Sequence, residues 1–153
     1  MKWLVFLIFL SLCYVSKAQK FDLQKVRQLY IQAIENHDDC IRLIQMTKTD
    51  NIDTNALQYG YYAVAKILKS KFLINPISKY SEFNQGKLML EEVISLFPNN
   101  LELRFLRYCI QYNSPSFLNY NQNLNLDKQL IDNRIESESK DLQSYIYPII
   151  QSF

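Results

Sequence analysis

Apolar residues recur every three to four positions along most of this chain, and there is no sustained alternation of apolar and polar residues bounded by Gly-rich turns. That periodicity predicts helices. The clearest stretch follows Phe97-Pro98-Asn99-Asn100 and runs Leu101-Glu102-Leu103-Arg104-Phe105-Leu106-Arg107-Tyr108-Cys109-Ile110-Gln111-Tyr112. Set on a helix, its apolar side chains cover about two-thirds of the circumference, wider than an ordinary surface stripe. Only Arg104, Arg107 and Gln111, at i, i+3 and i+7, share a narrow polar strip. A helix of this kind has to be wrapped by others, so it is read as the central helix of the domain. Pro98 ends the helix before it, and Asn99 is the expected cap, with Glu102 three residues on completing a capping box. The same placement puts Glu102 in the first turn, where the helix dipole favours an acid.

The other elements follow in order. Phe21 to about Asn36 carries Val26, Leu29, Tyr30, Ala33 and Ile34 on one face, with Asp22 as its cap. The pattern breaks at Asn36-His37-Asp38-Asp39 and resumes through Cys40, Ile41, Leu43 and Ile44 to about Thr47. After a polar turn, Asp53 or Thr54 caps a helix reaching about Leu73. A small-residue stripe of Ala56, Gly60 and Ala63 lies on it, and Gly60 implies a neighbouring backbone that comes close, since a helical glycine costs about 1 kcal/mol against alanine. Leu57, Tyr61, Val64 and Leu68 extend its buried side, whereas Tyr59, Tyr62, Lys66 and Lys69 are expected to look outward. Asn75-Pro76 restarts the chain, and Ile77 to Phe97 forms a long helix with Phe83, Leu88, Leu90, Val93 and Ile94 on its apolar face and a break expected near Gly86. Asn113-Ser114-Pro115 ends the central helix. Phe117, Leu118 and Tyr120 form a packed connector into an Asn-rich run, Asn119 to Asn125. A further helix with Leu126, Leu130, Ile131 and Ile135 inward follows, then Glu136-Ser137-Glu138-Ser139. The final helix carries Leu142, Tyr145, Ile146, Ile149 and Ile150, with a kink at Pro148. The expected fold is all-α, a single domain of five to seven antiparallel helices joined by short loops.

Composition changes the picture at one end. Met1-Lys2, an apolar run from Trp3 to Val15, and Ser16-Lys17-Ala18 have the form of a secretory leader cut between Ala18 and Gln19. The run is shorter than the ~20 residues that span a bilayer, so an uncleaved anchor is the lesser alternative; Leu12 disfavours lipoprotein processing at Cys13. The mature domain is then 19–153, exported to the periplasm or beyond. Lys2 and Lys17 leave with the leader, which takes the formal charge from +2 to zero. A neutral chain has no electrostatic footprint for nucleic acid. A hydrophobic fraction of 48% and a charged fraction of 21% describe a globular chain.

Helix pairs closed by a proline resemble the tetratricopeptide repeat. With Pro98 at the repeat's terminal proline, Gly86, Leu90 and Val93 fall on its small, large apolar and small positions. Ser70 and Ile74 stand where that repeat has Trp and Gly, and beyond Leu101 the pattern fails. A longer series, Asn75-Pro76, Lys79-Tyr80, Phe83, Gly86, Pro98-Asn99-Asn100, Arg104 to Arg107, Gln111, Pro115 to Leu118, Tyr120 and Asp127-Lys128, resembles a family of small exported proteins of flavobacteria-like bacteria. That resemblance implies one helical domain and export, and implies nothing about chemistry.

Candidate chemistry is sparse. No nucleophile elbow, phosphate loop, dinucleotide fingerprint or zinc-protease helix occurs, so no catalytic residue and no cofactor is expected. His37-Asp38-Asp39-Cys40 offers ligand types but lacks a second histidine for zinc. The alternating asparagines from Asn119 to Asn125 have Leu124 and Leu130 where a calcium loop needs Gly and Glu. Cys40 and Cys109 read as two buried thiols or, alternatively, as a bridge between the first helical pair and the central helix. Two surfaces stand as binding candidates. Arg104, Arg107 and Gln111 suit carboxylates, either a ligand's or internal ones on Glu91, Glu92 or Asp127; Tyr59, Tyr62 and Lys66 form an aromatic face that either lines a groove or packs on another helix. The expected function is a non-enzymatic module binding another protein of the cell envelope, with a ligand pocket at Arg104 and Arg107 as the alternative.

Overall fold

Short polar side chains start six of the helices by accepting backbone N–H groups that the first turn leaves unpaired. In the computed structural model, which describes residues 21–53 and 55–153, Asp22 accepts from Lys25 N at 3.2 Å to begin α1 (Leu23–Ala33), and Asn36 accepts from Asp39 N at 3.1 Å to begin α2 (His37–Thr47). Asn55 caps α3 (Ala56–Phe72) through Gln58 N at 3.0 Å. Asn75 takes Ile77 N and Ser78 N at 2.8 and 3.2 Å to begin α4 (Pro76–Leu96), whose first residue is a proline with its φ already helical. Asn100 caps α5 (Leu101–Asn113) through Leu103 N at 3.1 Å, and Ser139 caps α7 (Lys140–Ile150) through Leu142 N at 3.3 Å. Between them lie a single 3-10 turn at Ser116–Leu118, α6 (Leu124–Arg134) and a second 3-10 turn at Ile135–Ser137. Among the described residues there is no strand, and the seven α-helices form one all-α domain. The expected leader, Met1 to Ala18, and the proposed cap Thr54 lie outside the described residues.

Helix α5 is the hub. Ten of its thirteen residues are buried, and it separates two apolar clusters. Leu103, Leu106 and Ile110 face the cluster made with α1 to α4, alongside Val26, Leu43, Tyr61, Val64 and Leu90. Leu101, Phe105, Tyr108 and Cys109 face Ile131, Ile135, Leu142 and Ile146 of the last helices. Each fully buried aliphatic or aromatic side chain contributes about 1.5–3 kcal/mol of transfer free energy, so a helix buried on two sides organises most of the core.

Several expectations are corrected. The caps of α3 and α5 are Asn55 and Asn100, one residue or more beyond those expected, so Glu102 is not the reciprocal member of a capping box. Helix α4 continues unbroken through Gly86, because the absent side chain is used for contact rather than for a bend. A Cβ there would lie 2.6 Å from the Ala63 carbonyl oxygen and 2.9 Å from Ile67 N, so Gly86 is where α4 meets α3 backbone to backbone. Leu88 and Leu126, expected inward, are 60% and 56% exposed. In α6 the inward position is taken by Asp127, which is completely buried, because α5 offers it two guanidinium groups.

Candidate functional site

The polar strip of α5 is closed by internal carboxylates. Arg107 meets Asp127 through two bonds, Nε to Oδ2 at 2.7 Å and Nη2 to Oδ1 at 2.9 Å, and its Nη1 donates to Glu91 Oε2 at 2.6 Å. Arg104 Nε also donates to Asp127 Oδ1, and Arg104 Nη1 reaches the Pro98 carbonyl at 3.2 Å. Tyr120 donates to the other oxygen of Glu91 at 2.6 Å, which seats the connector after α5. Desolvation lowers the Arg107 pKa, but the hydrogen bonds and charges of Asp127 and Glu91 outweigh it and hold the guanidinium charged. Gln111, almost fully buried, accepts from Asn123 N at 3.0 Å and so anchors the start of α6, which has no side-chain cap of its own. Arg104, Arg107 and Gln111 therefore tie α4, α5 and α6 together, with the Gln111 Nε2 left buried beside them without a partner.

The aromatic face of α3 also turns to a neighbour. Tyr59 donates to Glu92 of α4 at 2.9 Å, and Lys66 stands 3.2 Å from Glu82, with its ammonium 6.0 Å from the Tyr62 ring centre. Lys69 donates to the same Glu82 at 2.8 Å. Tyr59, Tyr62 and Lys66 are all half-buried, so the outward placement expected for them gives way to a lateral one along the α3–α4 seam. Cys40 and Cys109 are free and buried. The Cys40 thiol donates to the Ala65 carbonyl at 3.5 Å, whereas Cys109 lies across the core beside Tyr30; the bridge alternative is not what this structure contains. His37 packs against Phe72 and Asp39 takes Arg42, so the residues of that sequence run face different neighbours.

A second buried ionic cluster was not anticipated. Arg27 of α1 meets Glu102 of α5 through two bonds, Nε to Oε1 at 2.8 Å and Nη2 to Oε2 at 2.7 Å, and its Nη1 donates to Asp141 of α7. Tyr61 donates to Glu102 at 2.7 Å and lies 3.1 Å from the Tyr145 hydroxyl, while the Arg27 guanidinium sits 5.1 Å from the Tyr145 ring centre. Burial, then the Tyr145 and Glu102 charges, push the Tyr61 hydroxyl well above its usual range and keep it a donor. The sequence did hold a signal. Arg27 precedes Tyr30 and Ile34 by three and seven residues, so it shares a side of α1 with apolar residues, and a cation so placed needs a buried acid.

A cavity lies elsewhere, at the C-terminal half of α5. Its volume is about 790 Å³, within the range of small-molecule sites. Tyr30, Ile67, Leu68, Phe83, Cys109 and Ile110 supply buried wall, coming from α1, α3, α4 and α5. Leu118 of the 3-10 turn and Ile149 of α7 continue it, and Ile31, Tyr80, Phe117 and Phe153 form an exposed apolar rim. Phe153 is held there by stacking on Tyr112, with ring centres 4.5 Å apart, and by the Tyr112 hydroxyl donating to its carbonyl at 2.7 Å. Burial pushes the Cys109 thiol far up, so it is a neutral, apolar part of the wall rather than a nucleophile. No local pattern marks this site, because its walls come from six separate elements.

Comparison with protein families, with curated proteins and with solved structures finds no match.

Proposed function

We propose that this protein is an exported, non-enzymatic binding module, and that its ligand site is the apolar cavity beside the C-terminal half of α5. The observation that carries this reading is the cavity itself: about 790 Å³ of space that reaches from an exposed apolar rim down to buried residues of four helices. Protein interiors ordinarily leave few voids larger than a water molecule, and an apolar cavity of this size is a place for an apolar guest. The internal pairing of Arg104 and Arg107 moves the expected ligand site away from them.

Calorimetric titration with the neutral apolar probe N-phenylnaphthylamine tests the reading. One saturable site is expected, and Ile110→Trp, which projects a larger ring into the space, should abolish it while the helical circular dichroism spectrum is retained. Unsaturable binding, or binding indifferent to Ile110→Trp, would overturn it.

The rim favours a second reading, in which an apolar side chain of an envelope protein fills the cavity. Phe117 is 82% and Tyr80 63% exposed, and aromatic groups around a recess are typical anchors of protein interfaces. A Phe117→Ser variant that loses a partner captured by the parent protein, while still binding N-phenylnaphthylamine, would separate this reading from the first.

A further inference from the structure

We infer that the occupant of the cavity is a long-chain carboxylate, its tail among Ile67, Leu68, Cys109 and Ile110 and its head at Lys79. The inference rests on the reading of the cavity as a ligand site and names the class of ligand. It follows from the charges around the space. Three charged side chains line it: Glu35, Lys71 and Lys79. Two of them answer each other, since Lys71 Nζ lies 3.3 Å from Glu35 and also donates to the Ile34 carbonyl at 2.6 Å. Lys79 is left over. It is exposed and has no carboxylate partner among the described residues. It also sits in the first turn of α4, which contains no acid, so the helix dipole adds to the positive sign there. Among the side chains that line the mouth, Lys79 is thus the one cation without a carboxylate partner, while the side chains of the buried walls carry no charge.

That distribution selects among apolar guests. A cationic head would meet Lys79 with repulsion, and a neutral head would leave it unanswered. A head bearing a single negative charge pairs with it at the water boundary and keeps its own hydration, so no charge has to enter the core. The walls set the other end of the ligand. They mix aliphatic side chains with the rings of Tyr30 and Phe83 and are drawn from six elements, a surface that a flexible unbranched chain can follow.

The experiment is calorimetric titration of the purified protein with decanoate, dodecanoate and tetradecanoate below their micellar concentrations, with dodecanol and dodecyltrimethylammonium as matched tails. Dodecanoate should bind with one site per chain, and each added pair of methylenes should tighten binding about tenfold until the tail outgrows the space. Dodecanol should bind about fivefold more weakly, as an exposed ion pair allows, and dodecyltrimethylammonium more weakly again. Lys79→Glu, an exposed change whose folding is checked by circular dichroism, should weaken dodecanoate about tenfold and leave dodecanol unchanged. Equal affinities for dodecanoate and dodecanol, or indifference to Lys79→Glu, would overturn the anionic head while the cavity reading stood. Binding of none of the three head types, together with no saturable binding of N-phenylnaphthylamine, would overturn both.

Discussion

The two halves of α5 are packed by opposite means. Around its first two turns the neighbours are held by buried guanidinium–carboxylate pairs, Arg27 with Glu102 on one side and Arg104 and Arg107 with Asp127 on another. Around its last turn Gln111 still takes Asn123 N, but the side that Cys109 and Ile110 face is apolar, and a cavity remains there. A buried charge has lost its water and must find a partner at hydrogen-bond distance, so ionic contacts tie α1 and α6 to the helix, and α7 to α1. Apolar walls carry no such obligation. An imperfect fit there costs only lost dispersion contacts and some transfer energy, and it leaves room for a guest. The ionic half resists change and the apolar half accommodates it.

That contrast breaks most severely at Asp127. Asp127→Asn leaves Arg107 and Arg104 sharing a neutral amide in a fully buried position, and a loss of about 5 kcal/mol in urea unfolding is expected. Glu102→Gln should cost less, about 3 kcal/mol, because Asp141 continues to face Arg27. Replacing the pair together, Arg27→Met with Glu102→Leu, should recover most of that loss, since the cost lies in the stranded partner rather than in the absence of the bridge; no recovery would mean that the pair itself supplies the stability. At Gly86, alanine would press its Cβ on the backbone of α3, and about 2 kcal/mol of destabilisation is expected from this overpacking. On the cavity side, Ile110→Phe should change stability by less than about 1 kcal/mol, because the added volume has space to enter. A loss there comparable to that at Gly86 would show the cavity walls to be as unyielding as the α3–α4 seam.

The smallest effect is one of pH. Burial first, then the hydrogen bond and charge of Glu92, push the Tyr59 hydroxyl from 10.0 to about 12. A group whose folded value is raised contributes stability that is complete below its unfolded value and is lost as pH rises through the folded one. The α3–α4 seam should therefore weaken between about pH 10 and 12, and Tyr59→Phe should flatten the decline of the urea midpoint across that window. At the acid end, Glu82 is desolvated, which raises its pKa, yet the bonds from Lys69 and Lys66 prevail and lower it. Its contribution is complete above the ordinary carboxylate range and is lost as pH falls through the lowered value; Glu82→Gln should remove that acid sensitivity.

The sequence by itself determined the helical class, the break points at Asn36, Asn75-Pro76 and Asn113-Ser114-Pro115, and the central place of the Leu101–Tyr112 stretch. These are consequences of spacing along one chain, where a 3.6-residue period and a capping side chain act on residues three or four positions away. It also offered Glu91 and Asp127 among the acids available to Arg104 and Arg107. It pointed to Asn99 as the cap where Asn100 serves, because either of two neighbouring asparagines can take the same N–H groups. Only the tertiary structure decided that Glu102 answers Arg27 across 75 residues, that Gly86 serves a close approach, and that Tyr30, Ile67, Cys109 and Leu118 surround one space. A cavity is a shortfall in packing between elements that meet from distant parts of the chain, and no local period encodes the distance at which they stop.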